Sequence, residues 1–257
     1  MSSAKVFAVS LFMGVLSMIV SGTGFFAMFM LASVLYALSA SIETAAVIGF
    51  VFFIILMFYV RLFPKESLLI PAMLIAYFFK IPYAVPVFAG LYIGLSGIVP
   101  VTIGVFLNWF FSYVPELINA APKESFAPLT IPDSLIKMYE ILNEALAKDS
   151  SFIFISVSFA VGLVITYAIS RLWVNYNRGI SIGAGMAAIF VSHVIFGIMG
   201  VVLVGFLPFM FGILASFAVV MAIGFFDMVL DYEGSSKVKF EDESNCYYVK
   251  VIPKIKN

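Results

Sequence analysis

From Val6 to Ala40 the chain is almost unbroken apolar sequence. That is longer than one perpendicular membrane helix needs, because a rise of about 1.5 Å per residue crosses a hydrocarbon core of ~30 Å in about 20 residues. The Ser21-Gly22-Thr23-Gly24 cluster is the natural break. The pattern predicts spans at 6–21 and 24–39, with one tilted, kinked helix as the alternative. A clearer span runs from Thr44 to Val60 and stops at Arg61, Pro64 and Lys65; a shorter one runs from Leu68 to Phe79 and stops at Lys80. Lys80, at a span end, is expected to snorkel to the headgroups.

The next apolar stretch, Ile81 to Tyr113, is punctuated by Pro82, Pro86 and Pro100 and by Gly90, Gly94, Gly97 and Gly104. It holds two short helices or a re-entrant hairpin, since non-helical backbone at membrane depth survives only where protein or a wet cavity surrounds it. Interrupted segments of this kind point to transporter binding sites, most strongly when a matching one lies in a second half of the chain. No repeat is evident here. Pro82, Pro86, Gly90, Gly94, Gly97 and Pro100 are therefore the candidate discontinuous-helix site.

Pro115 to Ser151 reads as one long polar loop. Within it Leu135, Met138, Tyr139, Leu142 and Leu146 fall on one helical face between Asp133 and Lys148, with Asp133 or Ser134 as cap and Lys137, Glu140, Glu144 and Lys148 elsewhere. This is an amphipathic helix for the bilayer surface or the flank of the spans. Three strong spans follow, at 152–170, 182–204 and 208–229, with Pro208 suited to a first helical turn. The link holding Arg171, Asn175, Asn177 and Arg178 is cytoplasmic by the positive-inside rule. So are the Arg61–Lys65 loop and a tail rich in lysine, which leaves 115–151 outside. Counting back gives about nine crossings with an external N-terminus, or about eight if the first apolar stretch is one helix.

From Asp231 the sequence turns polar. Val238 and Phe240 alternate with Lys237, Lys239 and Glu241; Ser244-Asn245 offers a turn; Tyr247, Val249 and Val251 alternate with Tyr248 and Lys250. That is hairpin patterning, and a lone hairpin is marginal in water. It packs on the protein's own loops or adds to the edge of another chain. Val238, Phe240, Tyr247, Val249 and Val251 are the docking candidates.

The tail's Phe240-Glu241-Asp242, Tyr247-Tyr248 and Val249-Lys250-Val251-Ile252-Pro253-Lys254, together with Lys80-Ile81-Pro82-Tyr83-Ala84-Val85-Pro86, resemble segments of uncharacterised multi-spanning membrane proteins of Gram-positive anaerobic bacteria. Ser244, Asn245 and Cys246 interrupt the more continuous acidic and tyrosine runs of that group. The resemblance covers about 35 residues. It implies a bacterial inner-membrane setting and a tail that belongs to the design, and it carries no activity.

Composition narrows the choices. With 63% hydrophobic and 11% charged residues among 257, the chain lies outside the soluble range of about 25% charged. Fourteen basic residues balance fourteen acidic ones, so no basic field invites nucleic acid. The single cysteine, Cys246, cannot form an intrachain disulfide, and metal-ligand spacings are missing. Met1 to Val20 imitates a signal peptide but is read as retained, because apolar sequence resumes at Gly24 without a cleavage site.

Ionisable or polar groups inside spans are functional hypotheses by default. His193, the only histidine, and Asn108 form the candidate intramembrane polar site, against a structural hydrogen bond for the first and an interfacial position near Tyr113 for the second. Asp227 is expected at a solvated helix end or paired with Arg171 or Arg178. Gly90-x-x-x-Gly94 and Gly179-x-x-x-Gly183 permit close helix approach. No His-Glu-x-x-His or Walker loop occurs, so an enzyme is not expected.

The expected fold is an all-α polytopic integral membrane protein of about eight or nine spans, one or more of them re-entrant, with a short C-terminal β-hairpin tail. It divides into an N-terminal membrane bundle (1–113), an extracytoplasmic loop (114–151), a C-terminal three-helix membrane bundle (152–230) and a cytoplasmic tail (231–257). The expected function is a non-enzymatic membrane subunit of an envelope- or secretion-associated complex, docking through the tail. The alternative is a small-molecule permease or the substrate-binding membrane component of a transporter, using an apolar substrate or a separate ATPase. No cofactor is implied. The expected partners are the lipid bilayer and a membrane or cytoplasmic protein held by the tail, with oligomerisation open.

Overall fold

The structure, a computed structural model, describes residues 22–38, 41–120, 131–172, 177–200, 205–234, 236–242 and 245–251. The expected span at 6–21, the end of the span expected at 182–204, Asn175, Ser244 and the Ile252–Lys254 part of the tail motif lie outside these residues. The described helices are α1 (Gly22–Leu38), α2 (Ile42–Ile55), α3 (Leu69–Phe78), α4 (Ala84–Tyr92), α5 (Ile98–Ala120), α6 (Ile131–Lys148), α7 (Ser151–Ser170), α8 (Asn177–Ile198) and α9 (Phe206–Gly234). Five are long and apolar enough to cross a bilayer: α2 with its continuation to Val60, then α5, α7, α8 and α9. The architecture is that of an all-α polytopic membrane protein. Exposed Phe58, Phe78, Leu207 and Phe211 give its outside the apolar surface that lipid requires.

α2 opens on a cap. The Thr44 N–H donates to Ser41 Oγ at 3.2 Å, one of the donors a helix start leaves orphaned. Thr44, Ala45, Ile48, Phe52 and Ile55 form its buried stripe, and Phe52 meets Phe26 of α1 edge-on at 5.8 Å. The last turn, Leu56–Val60, widens to a π-turn, a local over-turning that re-aims the residues after it.

The broken region resolves unequally. α3 and α4 have ten and nine residues, so at 1.5 Å per residue each covers about half of a ~30 Å core, and the 3-10 turn Glu66–Leu68 leading into α3 brings that run to about two-thirds, still short of a crossing. The segment expected at 68–79 is thus half-length. The stretch 95–120, by contrast, makes a full-length helix, entered through Gly94 at φ 91°, a left-handed conformation that glycine adopts at no steric cost. α5 also carries on through Pro115, which the sequence reading placed in a loop. The proline removes one N–H and costs up to ~3 kcal/mol, but Val114 and Leu117 beside it are buried, and each such side chain returns about 1.5–3 kcal/mol.

Specific contacts fix the helix directions. Leu69 approaches Gly97 and Met73 approaches Gly104, so α3 runs alongside α5 in the same sense. Trp109 packs on Phe152 while Leu163 approaches Gly97, so α7 runs against α5. Tyr83 meets Phe159 and Gly90 meets Thr166, so α4 follows α7. α3 and α4 are therefore antiparallel, and the turn between them abuts Gly212 of α9. Lys80 occupies that turn with φ 61°, the one positive-φ residue other than glycine among those described.

Two hydrophobic clusters result. One joins α1, α2, α5 and α6; the other joins α4, α7, α8 and α9; α3 and α5 contribute to both. α7 and α8 are antiparallel and close. A Cβ on Gly185 would overlap Thr166, and one on Gly162 would overlap Ile189. Thr166 Oγ1 donates back to the Gly162 carbonyl at 2.8 Å, which satisfies its hydroxyl without spreading the helices. Gly179 and Gly183, singled out by spacing, have no atom of the described residues within 4 Å of their Cβ positions; the helix rotation puts Gly185 in the contact instead.

α6 is described from Ile131, which puts Asp133 and Ser134 within the helix and not ahead of it. Met138 and Ala145 are buried and Ile141 and Leu142 half-buried, whereas Tyr139 and Leu146 are exposed. The face packed on the bundle is thus rotated from the expected one. α8 likewise starts at Asn177, making Arg178 helical and not part of a loop, and α9 continues past Asp231 to Gly234. Strands β1 (Ser236–Asp242) and β2 (Asn245–Val251) then pair antiparallel, with Val238 opposite Val249 and Phe240 opposite Tyr247.

Candidate functional site

The buried stripe of α8 is Ile182, Gly185, Met186, Ile189 and His193, spaced as one helical face. That places the only histidine of the chain against the bundle, 6% exposed. Its imidazole lies between two stacked rings, Phe159 of α7 at 5.8 Å and 26° and Phe209 of α9 at 5.2 Å and 17°. Tyr83, the residue just before α4, meets it edge-on at 5.4 Å and 82°. Phe190 extends the stack beyond Phe209 at 5.7 Å. Four elements thus converge on one side chain, and the end of the α3–α4 turn supplies the edge-on ring.

The cage is apolar but leaves polar atoms unused. Among the described residues His193 Nδ1 has no hydrogen-bond partner of good geometry, and the buried hydroxyls of Ser158 and Ser216 have none. An unsatisfied buried polar group costs about 1–3 kcal/mol. Ser158 precedes Phe159 of the cage. Ser216 stands one helical turn beyond Gly212, where a Cβ would lie 2.8 Å from the Tyr83 ring, so it shares the α9 face turned towards α4. Aromatic faces around one imidazole suit a small, largely apolar molecule that offers a hydrogen-bonding group.

The other end of α4 is tied by charge. Arg178 Nη1 lies 2.6 Å from Asp227 Oδ2, and the Tyr92 hydroxyl donates to the same oxygen at 3.3 Å. Of the two partners expected for Asp227, Arg178 is the one present; Arg171 stacks instead on the Tyr167 ring at 5.2 Å. Both members of the ion pair are substantially exposed, so it contributes on the order of 0–1 kcal/mol. Its consequence is positional, holding α4 to α8 and α9.

Comparison with protein families, curated proteins and solved structures returns no match. The residues themselves must carry any reading.

Of the candidates named from sequence, Pro82, Pro86, Gly90, Gly94, Gly97 and Pro100 are all buried. Gly90 lets α4 approach the α7 backbone, where a Cβ would lie 2.7 Å from the Leu163 carbonyl oxygen; Gly94 makes the turn into α5. Asn108 is half-buried near the middle of α5, not at its boundary, because the helix runs on past Tyr113. The rings around His193 come from α4, α7 and α9, and Asn108 is not among its ring neighbours. Val238, Phe240, Tyr247, Val249 and Val251 share one face of the strand register. Among the described residues no three His, Cys, Asp or Glu side chains group as a metal site. Tyr83, Phe159 and Phe209, the other cage residues, were not among the sequence candidates. A phenylalanine in a chain with 29 of them carries no local signal of a site.

Proposed function

We propose that this protein binds a small, largely apolar molecule within the membrane, as a permease or as the substrate-binding membrane component of a transporter. The observation that carries this reading is the pair of half-length helices, α3 and α4, whose junction reaches the buried His193. Half-helices that end inside a bundle deliver backbone and side-chain groups to a site that through-helices cannot. The test uses full-length protein in mild detergent, with thermal unfolding followed against a panel of neutral aromatic and amphipathic compounds. A compound that stabilises the wild type, loses its effect in His193→Phe and keeps it in Lys65→Gln supports the site. Stabilisation that is equal in both variants, or none across the panel, removes this reading.

In this reading α3 and α4 are a re-entrant pair. That takes two crossings from the count of about nine and leaves its parity as it was. The Arg61–Lys65 and Arg171–Arg178 regions and the tail then lie on the cytoplasmic side of a bacterial inner membrane, and α6 on the outer side.

A second reading rests on the tail. β1 and β2 pair with each other and leave outer edges on both strands, which suits strand addition by a partner. It makes the protein the non-enzymatic subunit of an envelope- or secretion-associated complex. Affinity purification of the full chain beside one truncated after Gly234 separates the two: a protein retained only by the full chain favours the subunit, and identical backgrounds disfavour it.

A further inference from the structure

The turn between α3 and α4 leaves an open cleft of about 510 Å³ against the first turns of α9. Phe79, Lys80, Leu207, Pro208, Phe211 and Ala215 line it. Leu207 and Phe211 are exposed by 71% and 74%, so the cleft opens outwards, onto the surface that faces hydrocarbon, and not into the His193 cage. Its volume falls within the range of small-molecule sites, roughly 300–1,000 Å³.

Its chemistry is two-part. Phe79, Leu207 and Phe211 offer apolar wall, and the one charged group is Lys80, whose ammonium makes no ion pair among the described residues. The Lys80 carbonyl oxygen lies 3.3 Å from the Cβ position of Gly212, more than a turn into α9. From there a lysine side chain lies along apolar surface and carries its ammonium towards the membrane boundary. It shares the cleft with Leu207 and Pro208 at the start of α9, the helix end whose free N–H groups favour an anion. A hydrocarbon wall with a cation that reaches from the turn towards the bilayer margin is complementary to a lipid with a negative headgroup.

We propose that this cleft binds an anionic phospholipid of the surrounding bilayer, with the phosphate at Lys80 and the α9 N-terminus and an acyl chain along Phe79 and Phe211. The cleft is distinct from the His193 cage, with Gly212, which meets the Tyr83 ring, as the wall between them.

The experiment is thermal unfolding of full-length protein in detergent, titrated with phosphatidylglycerol or with phosphatidylcholine of the same acyl chains. Phosphatidylglycerol should raise Tm by several degrees more than phosphatidylcholine in the wild type and in Lys65→Gln. Lys80→Gly, which removes the cation and relieves the positive φ, should remove that difference while the fold is kept. Ala215→Trp, which fills the cleft, should blunt the response to both lipids. Equal shifts from the two lipids would overturn the proposal. So would a preference that survives in Lys80→Gly, a loss as large in Lys65→Gln, or reproduction of the effect by inorganic phosphate alone. If Ala215→Trp does not fold, the Lys80→Gly comparison decides.

Discussion

Lys80 holds a backbone conformation that costs an L-residue with a Cβ about 1–2 kcal/mol. Lys80→Gly should therefore stabilise the protein by about 1 kcal/mol in detergent, read as a rise in Tm; a fall would mean that the lysine side chain holds the turn. The glycines of α7 and α8 give the opposite case. Gly185→Leu or Gly162→Leu must displace Thr166 or Ile189 and should cost about 3 kcal/mol or more, within the range for overpacking. Gly183→Ala, in open space, should be neutral or gain up to ~1 kcal/mol of helix propensity. Spacing alone suggested Gly179 and Gly183, yet a better signal was present. Gly185 lies on the same stripe as Ile182, Ile189 and His193, and a glycine on the buried face meets a neighbour where one off it does not.

At the scale of elements, sequence periodicity recognised α2, α7, α8 and α9 because each is a long apolar run bounded by polar residues or prolines. It failed where tertiary contact overrides a local breaker. Pro115 looks like a helix end until Leu117 is seen to be buried, and the face of α6 was misjudged because both of its flanks are apolar. Met138, Ile141, Leu142 and Ala145 meet the bundle, while Ile136, Tyr139 and Leu146 face out opposite Lys137, Glu140 and Glu144. A helix so divided can rest one flank on protein, one in the interface and one in water.

The junction from α6 into α7 turns on Asp149. Its Oδ1 accepts from the Ser151 N–H at 3.1 Å and from Ser151 Oγ, and its Oδ2 from the Tyr113 hydroxyl at 3.3 Å. Burial pushes this carboxyl up, but those hydrogen bonds outweigh it and hold the group below the usual carboxylate range. A depressed carboxylate stabilises the fold above its unfolded value of about 4, and that stabilisation is lost as pH falls through the folded value. Asp149→Ala should cost about 1 kcal/mol at neutral pH. The gap from wild type should close below about pH 4, which unfolding curves from neutral to acid pH will show.

Across the whole molecule, the sequence placed a broken region in the right part of the chain but left its division open and closed it at Tyr113, short of the end of α5. Hydropathy weighs 81–113 as one block, whereas Gly94 divides it into a half-length α4 and a full α5, and α4 pairs with α3 before it. The cage was legible only through His193, because its rings come from distant segments. The re-entrant reading makes a direct prediction in a Cys246→Ser background, using a membrane-impermeant thiol reagent on intact cells. Lys148→Cys should be labelled and Lys80→Cys should not. Equal labelling of the two would mean that α3 and α4 each cross.

The partners of α4 come late in synthesis. It packs on α7, α8 and α9, all of them still unmade when the ribosome finishes Tyr92. A nine-residue segment is too short to partition into the bilayer by its own apolarity. In the re-entrant reading the α3–α4 pair therefore waits at the membrane surface and enters only after α9 has been delivered. Nascent chains arrested before α9 would hold this pair undocked, open to proteases that the finished protein resists.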